Sequence, residues 1–402
     1  MGKANDKNIL DVVAKILNRS KTILQVPGKG IRKLQAIRNA KQAFEQPRTA
    51  NHAIFVCHQV NVRAIKLAFA LKTSGWQITL LHKDNLPYDV SEYFFETKKI
   101  KDRWDALNIA AKYSPVIYHI FSNYNFELAH VFTKYKPGKI VFDNYDLLTG
   151  MFKDETSITD YTSLEQYCYI HADGICSRDL RIQFLKKLNY KLPEKILFSE
   201  YCWPENKFIR VPKLTDGIHV VYVGSIEPNP DSPVGYLYEL ASHLSKAEIH
   251  LHIYPSHSII IGLLKINMLR FLTEDTISKY VHIHDTISLL ELRKEISKYH
   301  YGILISSKTM NFGDDNETYF EHMGGYFLPS KFFDYFDAGV FTLSQDARFI
   351  RFIIERYDGG CVVNSFEEIV EICKKSPIAI SRPSSLLLES NASRLLRFYE
   401  QL

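Results

Sequence analysis

The sequence predicts an α/β protein made of two doubly wound domains that face each other across a cleft. From residue 51 onward, short apolar segments alternate with amphipathic segments of helical periodicity. Several apolar segments are continuous, which is typical of parallel strands covered on both faces. The alternation runs through two halves of similar size, and the length of 402 residues fits roughly two to three domains.

The predicted strands define the two halves. In the first half they are residues 52–57, 77–82, 116–120, 139–142, 174–177 and 196–199, and in the second half 218–223, 248–254, 281–283, 302–306, 340–343 and 360–363. We therefore divide the chain into a basic amphipathic helical extension (1–50), an N-terminal domain (51–210), a C-terminal domain (211–375) and a C-terminal helix (376–402) expected to pack back on the N-terminal domain. Ligands of such sheets bind outside the carboxyl ends of the strands, so the site is expected between the domains.

The composition excludes several classes of protein. Hydrophobic residues make up 46% and charged residues 24% of the chain, which excludes a disordered or collagen-like protein. The six cysteines have no paired spacing, which predicts free thiols in a reducing cytoplasm. The sequence has neither an apolar run of about 20 residues nor a signal-peptide pattern. We therefore expect a cytoplasmic protein.

The basic charge of the chain is concentrated in residues 1–50. This segment has eleven Lys and Arg against three Asp and Glu, whereas the rest of the chain is slightly acidic. Such confinement argues against a nucleic-acid role. Apolar stripes at residues 9–17 and 31–44 lie among the basic residues, and a basic amphipathic helix can bind an anionic membrane surface. The alternative is that both stripes pack on the first domain.

The strongest local signal is the segment 329–339, Pro-Ser-Lys-Phe-Phe-Asp-Tyr-Phe-Asp-Ala-Gly. Ser330 is expected to cap a helix whose first turn carries Lys331. A lysine at this position opposes the helix dipole unless an anion joins it. Asp334, three residues further on, is expected on the same face, where its carboxylate can accept hydrogen bonds from sugar hydroxyls. The alternative is a surface ion pair on a helix whose phenylalanines fill the core.

A second signal is a strand that ends at Gly224 and Ser225, before a delayed helix. A glycine at this position lets a ligand approach the backbone, and the helix N-terminus beyond it attracts an anion. A plain turn is the alternative.

The segment 329–339 resembles the donor-site signature of GT-B glycosyltransferases, P-x-K-x-x-[ED]-Y-x-x-x-G, and the likeness is greatest to family 4-like enzymes of bacterial surface-polysaccharide synthesis. Segments 116–119, 172–177, 221–225, 250–254 and 284–301 resemble further pieces of that family in the expected order. The resemblance implies two Rossmann-like domains, a nucleotide-diphosphate sugar as donor, and a glycan or lipid-linked acceptor. It also favours peripheral binding of residues 1–50 to the inner face of the cell membrane.

The resemblance assigns the donor to the C-terminal domain. Lys331 and the Ser330 turn would contact the diphosphate, and Asp334 would contact ribose or sugar hydroxyls. Residues near the nucleobase would follow two other strands. The complete set of expected donor-binding residues is Gly224, Ser225, Tyr254, Ser256, His284, Asp285, Pro329, Ser330, Lys331 and Asp334.

An inverting transferase also needs a base on the acceptor side. The candidates are His119 and Asp143, both near ends of predicted strands that should face the cleft. The alternatives are a satisfied histidine at a strand end for His119, and capping or turn formation for Asp143, as for Asp146. The E-x7-E pattern of many family 4 enzymes is absent, because Tyr326 lies eight residues before Asp334. The stereochemical outcome therefore stays open.

Two histidine pairs, His250 with His252 and His282 with His284, are spaced to share a strand face. Without convergent Cys or Asp residues they do not predict a metal site. We expect neither a metal nor a cofactor beyond the nucleotide sugar. The alternatives are a nucleotide-sugar epimerase of the same architecture and a non-catalytic sugar-nucleotide-binding scaffold.

Overall fold

The computed structural model describes residues 27–86, 89–123, 125–145, 147–150, 159–204, 210–232, 235–256, 260–305, 329–345, 348–375, 380 and 384–402. The apolar stripe at residues 9–17 and the side chain of Asp146 lie outside the described residues.

The first half of the chain forms a parallel sheet of seven strands in the order β3-β2-β1-β4-β5-β6-β7. Its strands are β1 (Thr49–Cys57), β2 (Gln77–His82), β3 (Glu96–Lys99), β4 (Pro115–Ser122), β5 (Lys139–Asn144), β6 (Gly174–Ser177) and β7 (Ile196–Phe198). The helices of this half are α1 (Pro27–Glu45), α2 (Val62–Thr73), α3 (Arg103–Ala110), α4 (Glu127–Tyr135), α5 (Thr159–His171) and α6 (Arg181–Lys187).

The second half forms a parallel sheet of six strands in the order β10-β9-β8-β11-β12-β13. Its strands are β8 (His219–Gly224), β9 (His250–Pro255), β10 (Val281–Ile283), β11 (Tyr301–Leu304), β12 (Phe341–Gln345) and β13 (Gly360–Val363). The helices are α7 (Tyr236–Lys246), α8 (Ile261–Met268), α9 (Glu274–Tyr280), α10 (Leu289–Ile296), α11 (Lys331–Ala338), α12 (Arg348–Tyr357), α13 (Phe366–Lys374) and α14 (Leu388–Glu400). The predicted fold class, two doubly wound α/β halves, is confirmed.

Each sheet has a hydrophobic core on both faces, which explains why its strands are continuously apolar. In β1, the alternating residues Phe55 and Val56 belong to cores on opposite faces of the first sheet. In β8, Val220 and Val221 do the same in the second sheet.

The C-terminal helix α14 packs on the first half of the chain. Leu388, Leu395 and Phe398 are buried in the same core as α2. A short parallel bridge between Cys202 and Leu387 joins the segment before α14 to the link between the two sheets. The last helix therefore ties the end of the chain to the first sheet.

Strand β3 is not among the predicted strands. Its sequence, Glu-Thr-Lys-Lys, is polar and mostly exposed, because β3 is the edge of the sheet and pairs only with β2. Polar and lysine-rich residues are typical of edge strands, which carry no apolar pattern to detect. Among the described residues, no helix is long and apolar enough to cross a bilayer.

Candidate functional site

Most expected donor residues lie along one edge of the second sheet. All its strands are parallel, so their carboxyl ends meet at the same edge. The connection reverses direction between β8 and β11, and the carboxyl edge at such a switch point is where open α/β sheets bind ligands. Gly224 ends β8, Tyr254 and Ser256 lie at the end of β9, and His284 follows β10.

The turns after β8 and β9 are fastened to each other. The Ser256 amide donates to the Gly224 carbonyl oxygen at 3.0 Å, and the Ser225 and Ser256 hydroxyl oxygens are 3.3 Å apart. Gly224 has φ of +124°, a conformation that side chains rarely adopt. A Cβ atom at this position would also lie 3.4 Å from the Lys331 ammonium.

Helix α11 carries Lys331 to this turn. Its apolar face is anchored by Phe332, Phe333 and Phe336, which are all buried. The helix ends at Gly339, whose φ of +70° is the left-handed conformation common at helix C-termini. The phenylalanines thus fix the helix in the core, as the alternative reading of this segment expected.

Ser330 occupies the N-cap position but does not cap the helix with its side chain. Its backbone is helical, and its hydroxyl oxygen instead accepts a hydrogen bond at 3.0 Å from Tyr145, which follows β5 in the first half of the chain. The expected side-chain cap is therefore wrong. The sequence did not single out Tyr145 as a partner of α11. The Arg178 guanidinium lies 4.1 Å from the centre of the Tyr145 ring.

The Lys331 ammonium lies at the first turn of α11, 4.3 Å from the centre of the Tyr222 ring and 3.3 Å from its hydroxyl oxygen. None of the ion pairs within the described part of the chain includes Lys331. A cation beside a helix N-terminus and an open glycine turn is a favourable setting for an anion.

Asp334 does not pair with Lys331. One carboxylate oxygen of Asp334 accepts a hydrogen bond from Arg293 of α10 at 2.8 Å, and both residues are buried. One turn further, the fully buried Asp337 lies 3.5 Å from the Arg293 Nε and 3.8 Å from the Lys66 ammonium of α2. This charge network connects α11 to the first half of the chain.

Of the residues expected near the nucleobase, Tyr254 is buried and His284 is half-buried. The Tyr254 and His284 rings stack at 4.2 Å with an interplanar angle of 3°. The Tyr254 hydroxyl donates to Glu295 and contacts the hydroxyl of Tyr299; burial and these contacts raise its pKa. Asp285 is exposed, and Pro329 is half-buried just before α11.

His119 and Asp143 lie together, but both are buried, at 0% and 1% exposure. The expectation that they face an open cleft is wrong. The Arg63 Nε lies 2.8 Å from Asp143; the two His119 ring nitrogens contact the Tyr399 hydroxyl at 2.5 Å and Asp143 at 3.3 Å. This geometry favours a structural role, and the assignment of either residue as the catalytic base stays a prediction.

Electrostatics supports this arrangement. Burial lowers the pKa of His119, which favours the neutral imidazole. Burial alone would raise the pKa of Asp143, but the charge of Arg63 and the His119 contacts outweigh it and leave that pKa below its ordinary value. Arg63 comes from the first turn of α2, 80 residues away, so no local sequence pattern could have indicated the pairing.

In the part of the chain that the structure describes, one group of three side chains has the composition of a metal site. Ligand atoms of His119, Asp143 and Cys176 lie within 4.8 Å of one another. The Arg63 guanidinium fills this place, with Nη2 at 3.5 Å from the Cys176 sulfur, and burial raises the pKa of that thiol to about 12. A fixed cation among neutral or paired groups opposes metal binding, so these residues do not fit a metal centre.

Comparison of structures gives the architecture. Sucrose-phosphate synthase from Thermosynechococcus elongatus aligns with a TM-score of 0.61 and 12% identity, over 87% of this chain and 98% of that one. Anabaena HepE, in a crystal structure with UDP and glucose, aligns with a TM-score of 0.58 and 9% identity, over 87% of this chain and 97% of that one. UDP-GlcNAc 2-epimerase from Methanocaldococcus jannaschii aligns with a TM-score of 0.51 and 11% identity, over 87% of this chain and 99% of that one.

The chain has the GT-B fold. Neither a family model nor a curated protein matches the sequence. The matching structures share only 9–12% of their residues with this chain, so they show the GT-B architecture and no closer relationship. The likeness to family 4 stays a prediction.

Proposed function

We propose that this GT-B protein is a glycosyltransferase that moves a sugar from a nucleotide-diphosphate donor to a glycan or lipid-linked acceptor in glycoconjugate synthesis. The observation that carries the proposal is the Lys331 ammonium beside Gly224, at the switch point of the second sheet. HepE, whose structure has the same fold, has been crystallised with UDP-glucose. This supports a nucleotide sugar as the ligand that binds at the carboxyl edge of the second sheet.

Breaking the glycosidic bond leaves negative charge on the departing diphosphate. A lysine and backbone N–H groups that are already in position stabilise this charge without reorganisation. In the proposal, Lys331 and the first turn of α11 do this, supplying positive charge that a divalent cation would otherwise supply. Tyr254, Ser256 and His284 border the nucleobase. The first half of the chain binds the acceptor.

In the proposal, Asp334 still contacts a ribose hydroxyl, but it does so while bound to Arg293. Its carboxylate is held by Arg293 at 2.8 Å, so a ribose hydroxyl would share this carboxylate with the guanidinium. Because an ionised carboxylate accepts several hydrogen bonds, the two partners are compatible.

The experiment is nucleotide release from a panel of UDP-, GDP- and CDP-sugars, with and without a glycan or lipid-linked acceptor. Acceptor-dependent release by the native protein, reduced about 10²-fold or more in Lys331→Ala, supports the proposal. Lys246→Ala is the matched control, because Lys246 is exposed at the end of α7 in the same half of the chain. Release that needs no acceptor and converts the donor sugar would instead indicate an epimerase, a reading that the epimerase of the same fold favours. Tight nucleotide binding without any turnover would indicate a scaffold.

We further propose that residues 1–50 bind an anionic membrane surface. Helix α1 packs on α3 through small residues, with Ala36, Ala40 and Ala43 buried. Its larger apolar side chains point away from this contact: Ile31 is 71% and Leu34 is 69% exposed. The exposed basic residues Arg38 and Lys41 share this face at helical spacing, whereas Arg32 and Lys33 contact Asp102 and Trp104 at the start of α3. An exposed apolar and basic face of this kind supports peripheral membrane binding at the cytoplasmic side.

A further inference from the structure

A row of three histidines crosses the second sheet and ends at the candidate site. The His219 Nε2 lies 2.9 Å from the Asp216 carboxylate, and the His219 Nδ1 lies 2.9 Å from the His252 Nε2. The His252 Nδ1 lies 3.0 Å from the His284 Nε2. We call these four residues the histidine relay. It begins before β8, at the amino edge, and ends after β10, at the carboxyl edge.

The carboxylate at one end fixes the direction of every hydrogen bond. Ionised Asp216 can only accept, so the His219 Nε2–H donates to it. A neutral imidazole has one donor and one acceptor nitrogen, so the His219 Nδ1 accepts from the His252 Nε2–H. By the same rule the His252 Nδ1 accepts from the His284 Nε2–H. The remaining nitrogen, His284 Nδ1, is then an acceptor.

The surroundings favour the neutral form of the three imidazoles. Burial and neighbouring histidines lower the pKa of His252 to about 2. Burial is also the main cause that lowers the pKa of His219 and of His284. The other titratable or charged side chains that contact or act on these rings are His250, His282, Tyr254, Asp285, Glu295, Lys298, Tyr299 and His300.

His284 presents its open nitrogen beside the expected nucleobase position. The ring is half-buried and stacks on Tyr254. Within the described residues, its Nδ1 has no hydrogen-bond partner, nor is it one of the buried polar atoms that lack one, so this nitrogen reaches solvent at the carboxyl edge.

We propose that the histidine relay locks His284 in the neutral form that carries hydrogen on Nε2, and that its Nδ1 accepts a hydrogen bond from an N–H group of the donor nucleobase. This inference rests on the proposed function. His284 is thereby a specificity-determining residue, since a base that offers only an acceptor at this point leaves two lone pairs facing each other.

The first test reads the tautomer directly. Imidazole ¹⁵N spectra of the histidine-labelled protein should show an unprotonated Nδ1 and a protonated Nε2 for His284. The signals are assigned with His219→Gln, His252→Gln and His284→Asn. Asp216→Ala, which removes the carboxylate end, should populate the other tautomer at His284. A protonated Nδ1 in the unmodified protein would overturn the proposal.

The second test measures binding of the tightest-binding member of UDP, GDP, CDP and ADP by calorimetry. His284→Phe keeps a stacking ring but removes the acceptor, and should weaken binding about tenfold, as expected for one lost hydrogen bond. His284→Asn, whose amide oxygen replaces Nδ1, should recover most of the affinity. His243→Phe is the matched control, because His243 lies on α7 in the same half of the chain and contacts Glu367 and Phe366, and it should stay within about twofold.

The outcomes separate the two proposals. If His284→Phe and His284→Asn both bind the nucleotide as the unmodified protein does, the relay has no role in recognition and the inference is wrong, while the proposed function stands. If none of the four nucleotides binds the unmodified protein, the proposed function fails. If His284→Phe does not fold, His284→Asn and the tautomer spectrum still decide: an affinity loss of tenfold in the Asn variant, or Nδ1–H in the spectrum, contradicts the inference.

Discussion

The Arg63–Asp143 contact decides how the expected catalytic pair is understood. Both side chains are nearly fully buried, at 3% and 2% exposure, and 2.8 Å apart. Removing one partner of a buried pair typically costs about 3–5 kcal/mol when the other charge is left without compensation. Arg63 would keep its contact with Glu200 at 3.2 Å, so we expect a cost at the lower end of this range for Asp143. A substitution of Asp143 therefore distinguishes the two roles. A structural role predicts a loss of stability, and a catalytic role predicts a loss of turnover.

We expect Asp143→Asn to lower the free energy of unfolding by about 3 kcal/mol, measured by urea denaturation. Asp231→Asn is the control, since its ion pair with Arg270 is exposed and such pairs contribute about 0–1 kcal/mol. An Asp143→Asn protein of unchanged stability that loses about 10²-fold in turnover would restore Asp143 as the catalytic base.

The buried histidines predict how stability depends on pH. Burial, with neighbouring charges, lowers the pKa of His252 to about 2 and of His58 and His282 to about 4, below the unfolded value of about 6.5. Below pH 6.5 the unfolded chain binds more protons than the folded one, so stability is full above that pH and falls with acidification.

Each proton taken up on unfolding changes the free energy of unfolding by about 1.4 kcal/mol per pH unit. Urea midpoints should therefore fall between pH 7 and pH 5, and His252→Gln should fall less steeply than the unmodified protein. Equal midpoints at the two pH values would show that these histidines titrate normally.

At the scale of elements, local sequence patterns predicted the strands and helices well. Strands such as β1 and β8 are continuously apolar, and all twelve predicted strands are present within a few residues of their expected ends. The polar edge strand β3 was not predicted, because it has no buried side chain that would give an apolar pattern. Helix α11 was located by its own sequence, but its partners were not, since Tyr145 and Arg293 approach from 185 and 41 residues away in the chain.

Helix α1 gives a prediction at this scale. Replacing both Ile31 and Leu34 with Gln should change the free energy of unfolding by less than about 0.5 kcal/mol, because both side chains are mostly exposed. The same variant should lose co-sedimentation with vesicles that contain anionic lipid, as should a protein without residues 1–50. Ala36→Gln, at a buried position of α1, is expected to affect stability instead. Equal sedimentation of the unmodified and double-variant proteins would assign α1 a purely structural role.

At the scale of the whole molecule, the two halves are joined by polar contacts as well as by the chain. The Tyr145 hydroxyl reaches Ser330, and Lys66 of α2 lies near Asp337 of α11. These contacts fix the start of α11 relative to the first sheet, where the acceptor is proposed to bind. Sequence periodicity predicts the two sheets, but it contains no information about which residues meet between them.

The measurement that tests the account most directly is calorimetric titration of UDP, GDP, CDP and ADP into the unmodified protein and Lys331→Ala, with Lys246→Ala as control. Losing one charge-assisted contact costs about 1.5–3 kcal/mol. We therefore predict that at least one nucleotide binds, that Lys331→Ala weakens its affinity about tenfold to a hundredfold, and that Lys246→Ala does not. Unchanged affinity in a folded Lys331→Ala protein would contradict the proposed donor site.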